Sequence, residues 1–105
     1  MDLTDATQQA VIDAYNAVPA DIRIADALTM PWGGERNLAL RKALGIPLES
    51  DEICMVNHGD VAQVVVFTRR RGRQITAALQ AGMPDGWLAY LTRRADGAWL
   101  VTAHP

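Results

Sequence analysis

Apolar residues recur every three to four positions up to about Leu44, and beyond that they alternate or form short runs. Helices first and strands after is the pattern this predicts. Val11, Ala14, Tyr15 and Val18 share one side of a helix from about Thr4 to Val18, with Gln8, Gln9, Asp13 and Asn16 mostly opposite. Thr4 is placed to cap that helix, Asp5 suits its first turn, and Pro19 stops it. A short second helix is expected from Asp21 to Leu28. "MPWGGE" (30–35) reads as a loop, and a third helix follows from about Glu35 to Leu44. Arg41 and Lys42 fall in its last turn, Gly45 at the left-handed cap position and Pro47 beyond.

After Leu44 the composition turns β-branched. "EICMV" predicts a strand over 53–57, "NHGD" a turn, and "VAQVVVFTR" a long strand over 61–69. "GWLAYLTRRADGAWLVTAHP" predicts a hairpin whose register follows from its faces. With Ala95-Asp96-Gly97 as a three-residue loop and Gly97 left-handed, Arg93 opposes Trp99, Leu91 opposes Val101 and Ala89 opposes Ala103. Trp87, Ala89, Leu91, Trp99, Val101 and Ala103 then share one apolar face. A one-residue slip would mix the faces, so this register is expected.

The segment between these strands supports two patterns. As a helix, Ile75, Leu79 and Met83 line up, with Gly82 and Pro84 as a stop. As a strand turning back at Arg71-Gly72, Ile75, Ala77, Leu79 and Ala81 would face Thr68, Val66, Val64 and Ala62. That almost wholly apolar row favours the hairpin, although Ala-Ala-Leu-Gln-Ala is good helix composition. The expected architecture is α+β: N-terminal helices packed on a curved antiparallel meander of four to five strands, in one domain spanning 1–105.

A net charge of −2 hides an uneven distribution. Residues 1–60 carry ten acids and four bases, whereas residues 61–105 carry two acids and six bases, all arginines. A single cysteine, Cys54, allows no internal disulfide. With an N-terminus unlike a signal peptide and no long apolar run, the expectation is a soluble cytoplasmic protein away from membranes.

Chemistry-bearing residues are sparse. If both arginine-bearing turns lie at one end of a meander, Arg69, Arg70, Arg71, Arg73, Arg93 and Arg94 cluster there and offer guanidiniums to carboxylates or phosphates. The plainer alternative is a solvated tip. The acidic overall balance weighs against nucleic acid, so the partner such an edge suits is an acidic protein first and a nucleic acid second. His58 and Asp60 in "NHGD" have the minimum for an oriented base, yet Asn, Gly and Asp serve a tight turn equally well. One Cys and two distant His give no metal set, and no cofactor motif is present. Ser50, the one serine, lacks a nucleophile-elbow context, and "ERNLALRKALGIP" lacks the second helix of a helix-turn-helix.

"DGAWLVTAHP" and "HGDVAQVVVFTRR" resemble the final hairpin and middle strand of the nuclear-transport-factor-2-like fold and its SnoaL-like enzymes, over roughly residues 58–104. That resemblance implies a sheet curled around an apolar pocket for a small ligand, opening near Trp32 and lined by Tyr15, Trp87, Tyr90 and His104. It also implies a homodimer through the sheet's outer face, where Val65, Leu88 and Leu100 fall. A catalytic pair is not assigned. The expected function is a small-ligand binding domain, with the arginine edge as an alternative, partner-binding function.

Overall fold

In chain order the elements are α1 (Leu3–Ala17), α2 (Ile24–Leu28), α3 (Gly34–Ala43), β1 (Ile53–Val56), β2 (Ala62–Val66), α4 (Arg69–Gly82), β3 (Leu88–Arg93) and β4 (Trp99–His104). The structure, a computed structural model, describes residues 3–31, 33–56 and 61–105. The strands form one open antiparallel sheet in the order β1-β2-β4-β3, so the class is α+β. Among the described residues no helix is long and apolar enough to cross a membrane.

The β3–β4 hairpin has the expected register: Arg93 opposes Trp99, Leu91 opposes Val101 and Ala89 opposes Ala103. Gly97 sits at φ 89°, in the left-handed region that a residue with a Cβ enters at a cost. Asp96 Oδ1 accepts the Ala98 N–H at 3.1 Å and fixes the loop. Trp87, Ala89, Leu91, Trp99, Val101 and Ala103 all pack into or against the core.

The expected strand over 73–82 is instead helix α4, and the strand before it ends at Val66 rather than at residue 69. Two physical reasons are visible. The slot beside β2 that a returning strand would need is filled by β4, which pairs along it from Ala62↔Ala103 to Val66↔Trp99. The helix also gains a cap and a clean buried stripe. Thr68 Oγ1 accepts the Arg71 N–H at 3.1 Å, and Gly72, Ile75 and Leu79 are buried at helical spacing. A Cβ at Gly72 would lie 2.6 Å from Leu91 Cδ1, so the glycine lets α4 settle close on β3. Because β2 and β3 are both antiparallel to β4, they run parallel to each other, with α4 as the crossover between them.

The core lies between the helices and one face of the sheet. Leu40, Ile46, Ile75, Leu79, Val64, Val66 and Val101 are its largest fully buried side chains. Burying each contributes roughly 1.5–3 kcal/mol before conformational entropy is counted.

Three cations of α3 tie the helical half together. Arg36, buried, donates to the carbonyl of Leu28 at the end of α2. Arg41 donates to the carbonyls of Pro47 (2.6 Å), Ser50 (3.0 Å) and Glu52 (2.7 Å), holding the loop that leads to β1. Lys42 Nζ donates to the carbonyls of Tyr15 (3.0 Å) and Val18 (2.6 Å), where the α1 dipole favours a positive charge. The ammonium also lies 5.0 Å from the centroid of the Tyr15 ring. Gly45 takes the left-handed conformation expected after α3, at φ 71°. Helix α1 begins at Leu3, ahead of the expected cap at Thr4, and α2 begins at Ile24 rather than Asp21. The "NHGD" turn, with His58 and Asp60, lies outside the described residues.

Candidate arginine rim and surface sites

Two of the six arginines, Arg69 and Arg93, meet although the hairpin expected to bring them together does not exist. β2 ends, and α4 begins, at the same end of the sheet as the β3–β4 turn, because Val66 pairs with Trp99. Arg69, in the first turn of α4, places its guanidinium carbon 5.9 Å from the centroid of the Trp99 ring. Arg93, at the end of β3, places its own at 5.6 Å from the same ring. Trp99 is half-buried and packs against the core, so it forms a rigid backing for both cations.

The other four arginines divide into two engaged and two open. Arg71 forms a two-point ion pair with Glu52, at 2.7 Å and 2.9 Å, which raises the Arg71 pKa further and clamps α4 to the segment before β1. Arg94 pairs with Asp96 at 3.1 Å within the exposed hairpin turn. Arg70 and Arg73 are exposed on α4, and neither they, Arg69 nor Arg93 form an ion pair among the described residues. The rim is therefore Arg69 and Arg93 over the indole, with Arg70 and Arg73 exposed on the same helix as Arg69. The hairpin register placed Arg93 opposite Trp99, but spacing showed neither the approach of Arg69 to the same indole nor the diversion of Arg71 to Glu52.

No family model, curated protein or solved structure matches this chain. The site must therefore be read from its own geometry.

The residues expected to line one ligand pocket are dispersed. Trp87 packs against the core on the helix side of the sheet. Tyr90 and His104 lie on the opposite side, ring to edge with centroids 5.8 Å apart. Tyr15 is on α1, its hydroxyl donating to the carbonyl of Ile46 at 3.2 Å. Trp32 lies outside the described residues.

Concavities among the described residues occur elsewhere. An open groove of about 1010 Å³ runs between α1 and the 45–49 loop, lined by Val11, Ile12, Tyr15, Pro47 and Leu48 among others. A smaller one of about 340 Å³ lies between the end of α1 and Met30, Glu35 and Ala39. Val11 and Ile12 remain exposed in the larger groove. Among the described residues no cluster of His, Cys, Asp and Glu is arranged to hold a metal ion.

Proposed function

We propose that the chain is a partner-binding domain whose arginine rim grips a carboxylate-bearing segment of another protein. The observation that carries this reading is the pair of guanidiniums, from elements far apart in sequence, held against one indole. A stacked guanidinium has already lost side-chain freedom and still presents its planar donors outward. Two of them, with two more exposed arginines on α4, match the fork geometry of Asp and Glu carboxylates. Nucleic acid fits less well. The chain's overall charge is −2, and the indole of the rim is half-buried and occupied by cations rather than open to base stacking.

Trp99 supplies the readout once Trp32 and Trp87, the other two tryptophans, are replaced by Phe. Titration with a short poly-glutamate peptide should change tryptophan emission at low salt, with an affinity that weakens as salt rises. Arg69→Glu combined with Arg93→Glu should weaken binding at least tenfold while leaving the far-ultraviolet dichroism intact. Arg71 is left alone because reversing it would break the pair with Glu52. Unchanged binding in the double variant would refute the rim. Tighter binding of a single-stranded oligonucleotide than of the peptide would transfer the site to nucleic acid.

A second reading, small-ligand binding, rests on the groove along α1. Its size suits a drug-sized apolar molecule, and Tyr15 lines it. A neutral naphthylamine dye should brighten in the presence of the protein. Val11→Asp with Leu48→Asp should abolish the effect, and the double arginine reversal should not. Brightening that survives the groove substitutions removes this reading.

A further inference from the structure

The β3–β4 hairpin closes with the Arg94 N–H donating to the Ala98 carbonyl at 2.8 Å. In an antiparallel ladder, residues bonded to the neighbouring strand alternate with residues that turn their N–H and C=O away from it. Counting back from Arg94, Thr92, Tyr90 and Leu88 bond to β4, while Arg93, Leu91 and Ala89 face the open edge of the sheet. One contact bears the count out: the Ala89 N–H donates outward, to Gln80 Oε1 on α4, at 3.1 Å. Beyond Gln80, the N–H and C=O groups of Leu91 and Arg93 have no neighbouring strand to meet. The strand has no proline, lysine or bulge, the usual guards of an exposed edge.

Helix α4 supplies a charged row beside this edge. At about 100° per residue, Arg69, Arg73, Thr76 and Gln80 share one side of the helix. Gln80 fixes that side as the one towards β3. Arg71, which reaches Glu52 ahead of β1, is on the other side. The row runs from Gln80 at Ala89 to Arg69 at Trp99, the residue that Arg93 opposes. The opposite edge of the sheet, β1, is four residues long and follows the exposed acids Glu49 and Asp51.

From this we infer that the open edge of β3 receives an extended segment of another protein as an added strand, with carboxylates at alternate positions of that segment. The inference rests on the carboxylate-binding reading of the rim and adds how the segment lies. Main-chain bonds to Leu91 and Arg93 give affinity without regard to sequence, and side chains on one face of the added strand select it. Alternate residues of a strand stand about 6.8 Å apart. Arg69 and Arg73 stand about 6 Å apart along α4. Acids at every second position therefore meet the arginine row in step. A helical acidic segment has its own backbone groups already bonded and would leave the edge empty. Along β1 the same segment would face like charge.

Amide exchange read residue by residue by NMR tests it, with a short peptide of alternating glutamate and threonine as the probe. In the free protein the Leu91 and Arg93 amides should exchange fast and those of Tyr90 and Thr92 slowly. Saturating peptide should slow Leu91 and Arg93 by about tenfold or more. Methylating either the glutamate or the threonine nitrogens of the peptide should abolish binding in one case only, because amides of a single parity point at β3. Arg73→Glu should weaken binding about tenfold, and Arg70→Glu, away from the row, less than about threefold. Exchange at Leu91 and Arg93 that stays fast while poly-glutamate still binds would overturn the added strand and leave the rim standing. Equal behaviour of the two methylated peptides would do the same. Failure of both the alternating peptide and poly-glutamate to bind would overturn the inference and the rim together. Slowing of the same amides on raising the protein concentration alone would give the edge to a second copy, and would overturn the inference too.

Discussion

Leu79→Ala should lower the stability of the fold by roughly 2–5 kcal/mol, the range for emptying a fully enclosed leucine site. At about 4–8 °C per kcal/mol for a domain near this size, the melting temperature would fall by roughly 8–40 °C. Leu79 is fully buried in a cluster that includes Ile75, Val64, Val66 and Val101. Its neighbours belong to a paired sheet and a capped helix, so they cannot readily collapse into the space. Ala77, two residues earlier, is exposed on the solvent side of α4. Ala77→Glu should therefore change stability by no more than about 0.5 kcal/mol. The contrast is diagnostic. In an extended segment, residues 77 and 79 would share a face and both substitutions would be severe. Chemical unfolding of the two variants reads it directly, and comparable losses at the two positions would contradict the helix.

That segment also shows what the sequence could and could not reveal. The β3–β4 hairpin was legible because one register alone sorts its side chains into a clean apolar face, and the loop chemistry of Asp96-Gly97 agrees with it. The α3 terminus was legible because Gly45 and Pro47 act locally. Residues 73–82 were not settled by local pattern, since Ile75 and Leu79 satisfy a helical stripe and a strand row alike. The decision comes from a non-local fact: β4, which starts only at Trp99, occupies the slot beside β2. The cap at Thr68 and the close approach at Gly72 were in the sequence, but their weight depends on Leu91 being there to meet the helix. The arginine rim illustrates the converse. It forms although the hairpin does not, because a helix leaving β2 starts where a returning turn would have been. Of its members' partners, Asp96 is two residues from Arg94 and Trp99 opposes Arg93 in the expected register, whereas Arg69 over Trp99 and Arg71 on Glu52 are tertiary contacts that no spacing rule encodes. Arg41 and Lys42 were likewise visible as a basic last turn of α3, while the carbonyls they bind belong to the end of α1 and the 47–52 segment. The expected common pocket was not legible for the same reason: Tyr90 and His104 sit on strand positions facing away from the core, whereas Trp87 packs against it.

Alkaline titration should expose the second large effect, at Cys54. Its thiol is 6% exposed. Burial pushes its pKa up from about 9 to about 12, against a smaller downward pull from Arg41. The folded state therefore keeps the thiol neutral at a pH where the unfolded chain has already released the proton. The sign follows from that difference. Stability attached to this group is fully present below about pH 9 and declines as pH rises towards 12, by about 1.4 kcal/mol per pH unit. Across the window the loss is on the order of 3–4 kcal/mol. Cys54→Ala removes the titrating group and leaves a small void, costing about 1 kcal/mol near neutral pH. Every other group is common to both proteins and cancels in the difference. Denaturant unfolding of wild type and Cys54→Ala from pH 7 to 11 should thus show wild type more stable at pH 7, the gap closing near pH 10 and reversing by pH 11. A gap that stays constant over that range would mean the thiol ionises as readily in the folded protein as in the unfolded chain, and that the β1 strand does not hold Cys54 against the core.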